Sequence, residues 1–263
     1  MDLGASAKAA SYRLIVRDSL GSTNEEAMRL ARDGDPGRLW LVAREQLQGR
    51  GRRGRTWSSP RGNLYASLLL IDPARPERLP ELGFVAGVAL VGALREILGE
   101  DRRLGLKWPN DILFDGAKLS GILLESSLLS SGRTACVAGF GVNCRSHPPT
   151  LPYAATDLAS IGTVLDAPED VLPRLSDAMA RSLEAWARGA GFAEIRLRWL
   201  KNALGVGEPI RVALGTTTLS GVFETIDSRG RLLLRDGVNT RPIEAGDVFL
   251  PSRSMAAHGV ARA

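Results

Sequence analysis

Between Leu82 and Leu98, apolar side chains recur at 82, 85, 86, 89, 90, 93, 94, 97 and 98, an unbroken stripe at helical spacing. A helix this apolar has to be buried, so the rest of the chain must supply strands and further helices that enclose it. Gly99 ends it. Its charge-free part, Leu82 to Leu94, is thirteen residues with three glycines, short of the roughly 20 needed to cross a bilayer.

The flanking segments read as that enclosure. Strands are predicted at Ser11–Asp18, Leu39–Glu45 and Asn63–Ile71, with a helix from Ser22 to Gly34 between the first two. Ser22 with Glu25, or Thr23 with Glu26, fits a capping box at that helix start. Short strands follow around 104–108, 112–114, 119–125 and 134–142, then helices at Pro168–Arg188 and Ala193–Ala203. After Gly205 the chain turns β-rich, with runs at 209–214, 219–226, 231–234 and 248–251. These suggest a small closed β unit of about forty-five residues. A domain boundary is placed near 204, giving units 1–204 and 205–263, the second ending in a polar tail.

Composition removes several chemistries. With 44% hydrophobic and 24% charged residues the chain is neither disordered nor fibrous. Asp2 stands where a signal peptide needs basic residues, and no apolar segment follows it. Two cysteines, Cys136 and Cys144, in 263 residues read as free thiols in the cytoplasm. Only two histidines exist, His147 before Pro148-Pro149 and His258 in the tail, both expected at the surface. A His-based zinc site and a Ser-His-Asp triad therefore lack candidates. No Walker-type phosphate loop is present.

Five segments carry concentrated polar chemistry. Ser22-Thr23-Asn24 opens a helix, where free N–H groups can receive a polar ligand. Gly49-Arg50-Gly51-Arg52-Arg53-Gly54-Arg55-Thr56-Trp57 combines backbone freedom, guanidiniums shaped for phosphate and one π-face. Such a run is a solvated loop, a nucleic-acid segment or a wrap around a phosphorylated small molecule. A nucleic-acid groove should interleave aromatics with its bases, and Trp57 alone stands near these arginines. The remaining segments are Lys107-Trp108-Pro109-Asn110-Asp111, Lys118 to Glu125, and Gly139-Phe140-Gly141-Val142-Asn143.

In this order the motifs GRGRRGRTW (49–57), GNLYASLLL (62–70), KWPNDIL (107–113), KLSGILLE (118–125) and GFGVN (139–143) resemble those of the biotin protein ligases. The resemblance spans residues 10–250 and implies an α+β fold. Its catalytic part would be a mixed sheet with helices on one side, as in class II synthetases and lipoate ligases, followed by a small SH3-like β-barrel. It also implies the family reaction: biotin and ATP, with Mg2+, form biotinyl-5'-AMP, and the biotinyl group then passes to a lysine of a biotin carboxyl carrier domain.

By the same resemblance Lys118, Arg52 and Asp111 are the catalytic residues, with Arg52 also retaining the labile intermediate. Biotin would meet Ser22, Thr23, Asn24, Arg50, Gly51, Arg52, Lys118 and Gly121. Gln46 joins them by its spacing from Gly49, with Gln48 as the alternative. The nucleotide would meet Arg55, Trp57, Asn110, Asp111 and Asn143. No resident metal site is implied. The bifunctional relatives place a DNA-binding domain of some sixty residues before the first motif. Here that motif arrives at Ser22, so no operator DNA is expected as a partner, nor a membrane. Monomer and homodimer stay open. The lipoate ligases are the nearest alternative, and an Arg/Gly-loop nucleic-acid-binding protein is a more distant one.

Overall fold

The computed structural model describes residues 1–251; the polar tail and His258 lie outside the described residues. In chain order the elements are α1 (Ala5–Ala9), β1 (Arg13–Arg17), α2 (Thr23–Arg32), β2 (Leu39–Ala43), β3 (Leu64–Ile71) and α3 (Leu82–Leu98). Then come β4 (Leu104–Lys107), β5 (Asp111–Phe114), β6 (Ala117–Leu128), β7 (Thr134–Val142), α4 (Leu158–Ile161), α5 (Pro168–Trp186) and α6 (Phe192–Lys201). The last five strands are β8 (Pro209–Leu214), β9 (Thr217–Ile226), β10 (Leu232–Asp236), β11 (Asn239–Ile243) and β12 (Asp247–Phe249).

The first seven strands form one sheet in the order β1-β2-β3-β7-β6-β5-β4. Only β1 and β2 run parallel; the other neighbours are antiparallel, so the sheet is mixed as expected. Strand alternation sorts its two faces. Trp40, Val42, Leu64, Leu68, Cys136, Ala138 and Phe140 join the core built around α3 and α5. Leu39, Leu41, Leu69, Ala135 and Val137 point the other way and pack against Ala27 and Ala31 of α2. Helices therefore lie on both sides, which corrects the one-sided expectation. A short amphipathic helix is enough to cover the second face where β2, β3 and β7 are apolar on both sides.

The stripe at 82–98 forms the buried helix α3, at its expected limits. It packs on α5 and α6, and Phe84 meets Phe192 and Trp199 edge-on at centroid distances of 5.8 and 5.5 Å. Just before α3, the buried Glu81 carboxylate accepts from Trp186 Nε1 at 2.6 Å and Arg78 Nη1 at 2.7 Å. Trp186→Phe removes one donor from a buried charge. It should lower the stability measured by urea titration by about 2 kcal/mol, and an unchanged midpoint would deny that bond its role.

Strands β8–β12 make a separate antiparallel sheet in the order β11-β10-β9-β8-β12. Among the described residues its end strands β11 and β12 are not paired with each other, so the hydrogen-bond ladder does not close into the expected barrel. Its β9–β10 turn docks on α3 and on the β4–β5 turn. Gly230 lies so near the Phe84 ring that a Cβ would come within 2.4 Å, and its carbonyl accepts from Trp108 Nε1 at 3.1 Å. Arg196 of α6 adds a 2.6 Å bond to the Ile226 carbonyl. These contacts carry β12 to the edge of the cavity described next. No helix among the described residues is long and apolar enough to cross a membrane.

Candidate active site

The site rests on three glycines. Alternation along β7 turns Gly139 and Gly141 toward the α2 side of the sheet, and Gly121 of β6 pairs with Gly141. A Cβ at Gly141 would lie 2.6 Å from the Trp57 indole, one at Gly121 3.1 Å from the same ring, and one at Gly139 2.2 Å from Asn24 Oδ1. The missing side chains let Trp57 and Asn24 lie directly on the strands. A cavity of about 500 Å³ opens here, a volume in the range of small-molecule sites.

At one end the polar groups are fixed by one another. Gln46 Oε1 accepts from the Thr23 N–H at 2.8 Å and lies 3.0 Å from Thr23 Oγ1, while Gln46 Nε2 donates to Ser59 Oγ at 2.9 Å. Ser67 Oγ donates to Asn24 Oδ1 at 2.6 Å, and Asn24 Nδ2 donates to Glu125 at 2.8 Å. The predicted capping box is not formed: Ser22 makes no side-chain cap, and Glu26 pairs with Arg29 instead. Gln46, which follows β2, takes the Thr23 N–H that Glu26 would accept in a Thr23–Glu26 box. The site has thereby borrowed a helix N-terminus.

At the other end charges converge. Lys118 Nζ lies 2.7 Å from Asp111 Oδ1, and Lys107 Nζ lies 3.5 Å from Oδ2. The same ammonium stands 5.3 Å from the Trp57 ring centroid and 5.5 Å from that of Tyr153, within cation–π range. Lys118 is thus held by one carboxylate and two rings, with 18% of its side chain exposed to the cavity. Asn110 is locked to Ile122 through both main-chain groups, at 2.9 and 2.7 Å, and accepts from Arg52 Nη1 at 2.9 Å. Burial, with the Arg53 charge beside it, pulls Arg52 below the usual arginine range.

Four arginines tie the Gly/Arg loop to three partners. Arg50 lies 3.2 Å from both Glu125 oxygens, Arg52 bonds Asn110, and Arg53 reaches Asp247 of β12 at 3.0 Å, where Arg55 also binds. Burial pushes the Asp247 carboxyl up, but Arg55, Arg53 and Arg52 outweigh it and hold it below the ordinary range. A carboxylate depressed by folding contributes fully above its unfolded value, about 3.9. That contribution fades as pH falls through the lowered folded value. Asp247→Ala should raise the rate of tryptic cutting in the loop about fivefold at neutral pH, from two partly exposed pairs. Equal cutting would remove Asp247 as a tie.

Of the sequence-predicted site residues, all but Asn143 line this one cavity. Asn143 is buried and donates to the Thr156 carbonyl at 3.0 Å, fixing the loop that carries Tyr153 rather than facing the cavity. Gln46 lines the cavity, while Gln48 is absent from its wall. Sequence reasoning missed Tyr153 and the Gly246–Phe249 rim from the second sheet, as well as Glu125 as the carboxylate shared by Asn24 and Arg50. His147 also departs from its surface expectation. It is half-buried, with Nδ1 2.5 Å from Asp157, whose carboxylate caps α4. Cys136 and Cys144 are free and buried, and burial pushes both thiols up to about 12. Among the described residues no cluster of three or more His, Cys, Asp or Glu could hold a metal ion.

Comparison with known proteins finds the same organisation. Residues 20–143 match the biotin/lipoate A/B protein ligase family, and residues 205–250 match the biotin protein ligase C-terminal domain. A biotin–[acetyl-CoA-carboxylase] ligase of Paracoccus denitrificans is 43% identical over 87% of this chain and 96% of its own length. The bifunctional ligase/repressor BirA of Bacillus subtilis is 31% identical over 94% of this chain and 77% of its own. Among solved structures, the biotin protein ligase of Aquifex aeolicus in complex with biotin and ATP superposes with a TM-score of 0.76 at 31% identity, covering 90% of this chain and 97% of that one. The 43% identity to a ligase matched along nearly its whole length, with both family models in order over a glycine-floored cavity and an appended β sheet, makes this chain a member of the biotin protein ligase family.

Proposed function

We propose that the chain joins biotin to ATP as biotinyl-5'-AMP and then transfers the biotinyl group to a lysine of a biotin carboxyl carrier domain. The observation that carries this reading is the division of one cavity into a neutral hydrogen-bonding end at Thr23, Asn24 and Gln46 and a cationic end at Lys118, Arg52 and Arg55. The first end suits the ureido head of biotin, the second its carboxylate and the phosphates of ATP.

In the first step a biotin carboxylate oxygen attacks the α-phosphorus, the bond to the β-phosphate oxygen breaks, and pyrophosphate leaves. An anion must approach a polyanion, so preorganised positive charge is the main requirement. Lys118 supplies it at the junction, held by Asp111 at 2.7 Å. In the second step a neutral lysine amine attacks the biotinyl carbonyl carbon, AMP departs, and the amine loses a proton. Asp111 is already engaged by Lys118 and Lys107, so it acts as an organiser of those cations. Arg52, bonded to Asn110, closes the side of the cavity from which the intermediate would escape.

The cavity offers two carboxylates, Asp111 and Asp247, and both are bound to cations of the chain. We infer that magnesium enters as MgATP, with the phosphates supplying most of its oxygens. Free thiols at Cys136 and Cys144 suit a cytoplasmic enzyme.

Biotin-dependent ATP–pyrophosphate exchange tests the first step, with lipoate in a parallel assay because the matched family includes lipoate ligases. Exchange with biotin alone is expected. Exchange with lipoate alone would keep the chemistry and overturn the substrate.

A further inference from the structure

Glu125 of β6 has no part in the proposed chemistry, yet two site residues share its carboxylate. Asn24 Nδ2 donates to it at 2.8 Å, and Arg50 Nη2 lies 3.2 Å from both oxygens. Register explains how Asn24 reaches it. Ser67 of β3, Gly139 of β7 and Leu123 of β6 stand in one row across the sheet. Asn24 is buried and lays its amide across the Gly139 position, where a Cβ would come within 2.2 Å of Oδ1 and 3.0 Å of Nδ2. Ser67 thus meets one end of the amide and Leu123 the other, with Glu125 two residues farther along β6 on the same face.

Counting donors and acceptors fixes which way this amide points. The Leu123 carbonyl, 3.2 Å from Nδ2, and the Glu125 carboxylate can only accept. Both Nδ2 hydrogens are therefore committed, while Oδ1 accepts from Ser67 at 2.6 Å and keeps one lone pair. Asn24 can offer a ligand in the cavity an acceptor and no donor. A flipped amide would set its oxygen against two acceptors. Of the two, the charged one makes the shorter bond and the stronger kind.

We propose that Glu125 is a positioning residue for biotin: its bond to Nδ2 holds the Asn24 amide with the carbonyl oxygen available to a ureido N–H. The inference rests on the biotin reading of the cavity's neutral end. A dithiolane ring such as that of lipoate carries no N–H to place there, so the same orientation favours a ureido ring over it.

Arg50 is the rival partner of Glu125, and the test separates the two. Glu125→Gln keeps an acceptor for Nδ2 and loses the charge facing Arg50, whereas Glu125→Met keeps the length and loses both. Calorimetric titration gives the Kd for biotin, and pyrophosphate exchange gives kcat and the KM for biotin and for ATP. Glu125→Met should raise the biotin Kd and KM about tenfold, as expected for one hydrogen bond to a charged group. Its kcat and ATP KM should not change, and Glu125→Gln should stay close to wild type. In an Asn24→Ala chain, Glu125→Met should add little further loss, because its effect runs through the amide. An undiminished loss in that background would overturn the proposal, as would unchanged binding in Glu125→Met alone. A Gln variant as weak as the Met variant would also overturn it, by assigning Glu125 to Arg50. Glu125→Ala carries the same prediction should the longer apolar side chain prevent folding. A wild-type chain that binds no biotin would overturn the reading of the cavity, and this inference with it.

Discussion

Lys118→Ala is expected to lower kcat/KM for biotin-dependent pyrophosphate exchange by about a thousandfold, the upper range for loss of one preorganised electrostatic donor. Lys118 Nζ is the ammonium that Asp111, Trp57 and Tyr153 jointly position, and its side chain is mostly shielded from solvent. Shielding strengthens its field at the reacting phosphate, and prior positioning avoids reorganisation during the step. The substitution leaves Asp111 with Lys107 at 3.5 Å, so the carboxylate is not stranded and the fold should survive. Thermal unfolding within a degree or two of wild type, alongside the lost exchange, is the expected pair of results. Lys118→Arg should recover little, because a planar fork cannot replace a compact charge seated between two rings. Near-normal exchange in Lys118→Ala would move the electrostatic role to Arg52 or Arg55.

Legibility of this chain followed the range of the interactions concerned. The limits of α3 could be read because seventeen consecutive residues carry a local period. The site motifs could be read because glycine, arginine and lysine cluster within short windows. Two features were hidden by distance and a third by a local change of direction. Gln46 displaces the capping box at Thr23 from 23 residues away, so a correct helix start was paired with the wrong partner. Asp247 lies 194 residues from Arg53 and brings a second sheet to the loop, a juxtaposition with no local trace. Asn143 follows the last residue of β7 and turns into the interior, where strand alternation no longer sets its direction. Strand β11 was missed for another reason. As an edge strand with Pro242 and four exposed positions, it shows no alternation at all.

Gly141→Val should weaken biotin binding about a hundredfold, the cost of misplacing a site by roughly an ångström, while the chain stays folded. Gly141 has no positive φ and lies in the middle of β7, between paired strands, so a β-branched residue suits its backbone. What it lacks is room, since its Cβ would fall 2.6 Å from Trp57 Nε1 and Cε2. The indole belongs to a loop and can lift, whereas the strand cannot, so the ring is the part that moves. Lifting it removes one of the two rings beside Lys118 and disturbs the Ser59 bond to the Trp57 carbonyl, which leads on to Gln46. Both ends of the cavity therefore depend on a single absent methyl group. Gly92→Ala in α3 is the contrasting substitution, because nothing lies within 4 Å of its Cβ position. It should leave biotin binding intact and raise stability by about 0.5–1 kcal/mol. Calorimetric titration with biotin checks both variants. Equal affinity for Gly141→Val and wild type would mean that the ligand does not need Trp57 on the glycine floor.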